Sequence, residues 1–161
     1  MAAGATYNSI ATTTLGTATN SYTFSSIPST YTDLVLIVYT KTVATDNLAI
    51  QVNGDTATNY SNTYMAGNGT TAISGRNTSV SQAFITGTGT TFGTSIINFQ
   101  NYANTTTNKT FIGRGSWSDY QARASAALWR STSAISSITV LSTGDNFQTG
   151  STFTLYGIAS A

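Results

Sequence analysis

At 161 residues and 40% hydrophobic content, the chain can bury a core without metal or disulfide staples, and its composition is not that of a disordered segment. Only 7% of residues are charged; Glu, His and Cys are absent, which excludes Ser-His-Asp triads, Cys-His pairs, His-based metal sites and disulfides in their ordinary forms. The net charge is +1, with Lys41, Arg76, Lys109, Arg114, Arg123 and Arg130 scattered, so no long-range field steers the chain to nucleic acid or anionic lipid.

Alternation of apolar and polar residues dominates the chain. Residues 21–25 place Tyr22 and Phe24 on one face of a strand. Pro28 follows and breaks pairing. Residues 33–40, the most apolar stretch, predict a central strand covered on both faces. Residues 47–52 alternate and stop at Asn53-Gly54-Asp55, a hairpin turn signal. Residues 56–69 hold Tyr60, Tyr64 and Met65 among Asn and Ser; they read as a long loop with room for one helical turn.

Residues 80–86 predict a strand and 87–90 a Gly-rich turn or flexible tip. Residues 95–102 predict another strand, before a polar loop at 104–108. Residues 109–115 form a strand whose glycines signal a bulge. Residues 115–120 read as a polar loop carrying Trp117 and Tyr120. Residues 122–130 have the Ala content of a helix, but Leu128-Trp129 and the flanking Ser and Thr favour a strand. Strands at 135–141 and 151–158 flank a turn at 143–146. About ten short strands separated by turns predict an all-β fold: one domain over 1–161, an antiparallel two-sheet sandwich of jelly-roll type.

Ser and Thr make up about a third of the chain, well above ordinary usage. Thr fits a pleated surface and satisfies water without charge. Outer strand faces are therefore expected to carry Thr, Ser and Asn. Such a surface has little charge to repel neighbours and points to life in an assembly. The first residues lack the basic region and apolar block of a signal peptide, and the dense apolar run 34–39 is too short to span a bilayer. The expectation is a soluble protein without a membrane role.

The carboxylates are Asp33, Asp46, Asp55, Asp119 and Asp145. Two of them facing across a cleft could hydrolyse a glycosidic bond, but their spacing gives no sign of it. Asp33, Asp46, Asp55 and Asp145 stand beside turns or strand ends, where Asp hydrogen-bonds local backbone. Neither 53–55 nor 143–146 has the acidic density of a calcium loop. No catalytic residue, metal ligand or cofactor site is expected, and the reading is non-enzymatic. The aromatics remain. Trp117 and Tyr120, near Arg114 and Arg123, and Tyr60 and Tyr64 are the candidate contacts for a neighbouring subunit or a host surface glycan. The favoured reading packs Trp117 over a sheet end or against a neighbouring subunit.

The opening Tyr7-Asn8-Ser9-Ile10-Ala11-Thr12-Thr13-Thr14-Leu15-Gly16 leads to Phe24-Ser25-Ser26-Ile27-Pro28-Ser29-Thr30-Tyr31-Thr32-Asp33-Leu34. The close is Gly150-Ser151-Thr152-Phe153-Thr154-Leu155-Tyr156-Gly157-Ile158. This combination resembles small β-rich virion proteins of tailed bacteriophages, including cyanophage-like ones: capsid decoration (cement) proteins and the ends of tail-fibre or appendage proteins. The resemblance implies a jelly-roll-like fold, a homotrimer and a place on the particle surface, with no catalytic residues to carry over. With no fibre repeat or coiled-coil heptad, a decoration protein bound to the major capsid protein or other virion proteins is favoured. The alternative is a receptor-binding tip that grips host glycan through 117–120 or 60–65.

Overall fold

Side chains that alternate between core and solvent define the strands of this computed structural model, which describes residues 6–117 and 121–159. In chain order these are β1 (Tyr7–Thr14), β2 (Ser21–Phe24), β3 (Asp33–Thr40), β4 (Asp46–Val52), β5 (Tyr60–Gly67) and β6 (Ala72–Val80). There follow β7 (Ala83–Thr88), β8 (Gly93–Phe99), β9 (Lys109–Trp117), β10 (Gln121–Trp129), β11 (Ile138–Ser142) and β12 (Thr152–Ile158). One sheet has eight strands in the order β1-β12-β3-β8-β9-β10-β5-β6, the other four in the order β2-β11-β4-β7. Every strand pair is antiparallel.

Two hairpins, β5-β6 and β9-β10, account for the unequal sheets. Without them, β1-β12-β3-β8 faces β2-β11-β4-β7. That is the strand order of an eight-stranded jelly roll, the sandwich expected from the sequence. The hairpins add side by side beyond β8 and widen one sheet only.

The core lies between the sheets. Leu34, Leu36 and Val38 of β3 meet Phe153 and Leu155 of β12, and Leu48, Ile50 and Val52 of β4 face them with Ile138 and Val140 of β11. Each such side chain contributes roughly 1.5–3 kcal/mol by leaving water. On the other face of β3, Val35 is buried, Ile37 half-buried and Tyr39 exposed. The strand predicted to be covered on both faces is thus covered outside only near Val35. Asn53 and Gly54 have φ of 54° and 66°, and Asp55 N donates to Val52 O at 3.0 Å. Successive positive φ values make the predicted turn a type I′ turn.

Four local expectations are corrected. Residues 60–67, read as loop, form β5, because Tyr60 and Asn62 turn inward while Thr63 and Met65 turn out. Residues 80–86 are not one strand: β6 ends at Val80 and β7 begins at Ala83. The predicted tip at 87–90 starts too early, since Gly87 and Thr88 close β7. The glycines of β9 mark no bulge, because its register with both β8 and β10 is unbroken.

The actual irregularity lies on β7, where Leu48 pairs with Thr86 and Ala49 with Phe84. Ile85 is the extra residue of this bulge. Its carbonyl accepts from Ser125 Oγ at 2.6 Å. β7 packs across β9, β10 and β5, and so covers the inner face of the added hairpins.

Candidate interaction surface

The unbroken register carries outward rows across the wide sheet. One row runs Ser74, Met65, Ala124, Arg114 and Ile96 and continues into Ile37 and Thr154. Beside it run Arg76, Thr63, Ala126, Ile112 and Asn98. On the other side lie Ala72, Gly67, Ala122, Ser116 and Thr94.

The two halves of this face differ chemically. Over β1 and β12 it carries the expected Thr coat: Thr12 pairs with Thr154 at 3.3 Å and Thr14 with Thr152 at 3.0 Å. The small sheet repeats this with Thr23 and Thr139 at 2.9 Å. Along β10, within the added hairpins, the hydroxyls give way to Ala122, Ala124 and Ala126, all exposed. Met65, 70% exposed, and Ile112, 46% exposed, rise on either side. Short side chains between longer ones make a trough. A concavity of about 870 Å³ lies over its upper part and one of about 580 Å³ over its lower part.

Charge is one-sided here. Strands β5, β6, β8, β9 and β10 contain Arg76, Lys109, Arg114 and Arg123 and no carboxylate. Arg76 and Arg114 are exposed on the outer face. Lys109 points inward, and its Nζ donates to Thr107 O at 2.7 Å and Thr132 O at 3.0 Å. Burial lowers the Lys109 pKa from its ordinary value.

No protein-family model matches this chain, and no curated protein sequence matches it.

The aromatic candidates fall elsewhere. Trp117 was the candidate for an exposed loop contact, with packing the favoured reading. It ends β9 at 3% exposure, facing inward in step with Lys109 and Phe111, and its indole fills the space a side chain on Gly87 would need. Tyr60 is fully buried: its hydroxyl accepts from Val52 N at 3.0 Å and donates to Asp55 O at 3.1 Å. Burial pushes its pKa up to about 12. Neither ring is available to an outside partner, which overturns both as surface contacts. Tyr120 and Asp119 lie outside the described residues.

Tyr64 is half-buried and points inward, its ring against Gly75. The guanidinium of Arg123 lies over that ring, 4.0 Å from its centroid. Arg123 Nη1 also donates to Asn47 Oδ1 at 3.1 Å and Thr86 O at 3.2 Å. Burial lowers the Arg123 pKa, and Tyr64 opposes that shift. Trp117, Tyr64 and Arg123 meet with Asp46, Asn47 and Gln121 around a polar cavity of about 340 Å³ between the sheets. The structure therefore joins two of the predicted aromatics, in a junction rather than on a surface.

Three carboxylates tie loops together: Asp46 and Asp55 make the local backbone bonds expected of them and also reach distant loops, while Asp33 bonds a distant one. Asp33 accepts from Asn101 N at 2.7 Å. Asp55 accepts from Ala57 N, Asn59 Nδ2 and Trp129 Nε1 at 2.6–2.9 Å. Asp46 accepts from Asn47 N, Ser142 Oγ, Thr143 Oγ1, Asp145 N and Gly144 N. Burial alone would raise the Asp46 pKa; these hydrogen bonds outweigh it and hold the carboxyl below the ordinary value. For Asp55 the bond from Asn59, followed by that from Trp129, has the same effect. Among the described residues no three acidic, His or Cys side chains gather where they could hold a metal ion.

Sequence reading missed the surface features that the fold exposes. Tyr39 is 45% exposed and stacks on Phe92, with centroids 4.7 Å apart. Lys41 Nζ is 5.0 Å from the Phe92 centroid. The local signal was Ala at every second position from 122 to 126, which marks an apolar strip but not the walls on either side of it.

Proposed function

We propose that this chain is a structural protein of a tailed-phage virion: a capsid decoration protein that stabilises the assembled head through contacts made by the outer face of its wide sheet. The observation that carries the reading is the size of that face. Its strands are seven to nine residues long. Eight strands about 4.8 Å apart then span roughly 1,000 Å², more than the ~800 Å² that one partner contributes to a standard interface. A protein that binds only the assembled shell stabilises it by mass action. The resemblance of both chain ends to phage virion proteins supports the same reading, as does a surface poor in charge.

Quantitative mass spectrometry of purified particles tests it, with a density map of the head. The expected result is a copy number that scales with the major capsid protein and density on the outer shell. A copy number matching tail fibres would move the protein to the tail.

One observation favours the receptor-binding reading. The exposed Tyr39, stacked on Phe92 beside Lys41, is a flat aromatic surface of the kind sugars stack on. Glycan-array binding that disappears in Tyr39→Ala would support that alternative; an empty array would remove it.

A further inference from the structure

The outer face of the wide sheet is uniform in fold but not in chemistry, and the difference locates a docking site within it. We propose that the trough along β10 takes an apolar segment of a neighbouring virion protein whose carboxylates reach Arg76 and Arg114. The proposal rests on the virion reading above and adds which part of the face is used and what it recognises.

Charge complementarity identifies the occupant. The five strands β5, β6, β8, β9 and β10 carry four cations and no anion. Two of those cations, Arg76 and Arg114, stand in adjacent outward rows, facing solvent. A second copy of the same face would set Arg against Arg, which costs energy on association. A partner bearing carboxylates instead meets guanidinium groups shaped for forked hydrogen bonds.

The floor sets the apolar part. Ala122, Ala124 and Ala126 have no rotamers to freeze, so covering them costs almost no side-chain entropy. Met65 and Ile112 stand over half-open walls whose apolar area is removed from water when the trough fills. Met adapts its shape to an incoming side chain. The walls on β5 and β9 stand two strand spacings apart, about 10 Å and close to the ~10–12 Å diameter of one helix, so the trough has the width for a single segment rather than a whole domain.

The test uses particles assembled with three variants of the full chain. Ala124→Arg fills the trough. The double variant Arg76→Glu with Arg114→Glu reverses its charge. Thr23→Glu, exposed on the outer face of the small sheet, is the control. Melting temperature is measured on each purified variant first, and only variants melting with the wild type are scored. Copies per particle are then counted against the major capsid protein. Wild type and Thr23→Glu should be retained, and both trough variants depleted at least tenfold. Retention of the charge-reversed variant at wild-type level overturns the proposed docking site and leaves the virion reading standing. Absence of the wild type from particles overturns both.

Discussion

Ile85 Cγ2 occupies the space that a β-carbon on Gly113 would fill. Ile85 is the bulged residue of β7, and Gly113 lies inward on β9. The two sheets therefore approach closely here, where the added hairpins meet the jelly roll. Overfilling a packed contact of this kind forces side chains or backbone to shift, at about 1–3 kcal/mol. Gly113→Ala should lose about that much stability in urea unfolding, and Gly113→Val more. An unchanged midpoint for Gly113→Ala would mean β7 moves aside freely.

Acid should loosen the fold at two defined points. Asp46 and Asp55 have pKa values below the ordinary 3.8, so around and below that pH the unfolded chain binds protons more readily than the folded one. Their contribution is complete above the unfolded value and is lost as pH falls through the folded values. Melting temperature should therefore be flat near neutrality and drop as pH falls below about 4. Asp46→Asn puts an amide where several hydrogen bonds converge, so it should melt lower than wild type at pH 7. The gap should narrow in acid, where wild type loses the same carboxylate. A constant gap from pH 7 to pH 3 would count against this role for Asp46.

Trp117→Ala separates a packing role from a contact role. An exposed gripping residue could be removed with little effect on stability. Trp117 instead seals Gly87 against β9, and truncating a buried Trp costs about 3–5 kcal/mol. Differential scanning calorimetry should show a large drop in Tm. A variant as stable as wild type would return Trp117 to the surface candidates.

These contacts also show why some of the molecule was legible in sequence and some was not. Strands β3, β4 and β12 bury one full side, so their apolar spacing is plain, and Asn53-Gly54 names its own turn. Strand β6 was not legible. Its inward residues include Gly75 and Asn77, and its outward ones Ser74 and Arg76. It pairs only with β5, at the rim of the wide sheet, so its two sides show little contrast. Gly113 and Gly115 erased the alternation that would have carried β9 through to Trp117. The trough depended on something no local pattern holds. Ala122, Ala124 and Ala126 become a surface only when register places Met65 on one side and Ile112 on the other.

Arg123 carries the last test, because it joins three strands that sequence separates. Its guanidinium stacks on Tyr64 of β5 and donates to Asn47 of β4 and Thr86 of β7. Burial lowers its pKa from the ordinary arginine value, yet a guanidinium stays charged at neutral pH. A lysine there keeps the charge but not the plane: its compact ammonium cannot stack on the ring and reach both acceptors together. Arg123→Lys should therefore lose about 1.5–3 kcal/mol, the range for hydrogen bonds made by a charged group. Hydrogen exchange should locate the loss. Amides of β5 and β6 should exchange faster, while those of β3 and β12, held by the apolar core, keep their protection. Uniform acceleration across both sheets would show that Arg123 supports the whole sandwich rather than the attachment of its added hairpin.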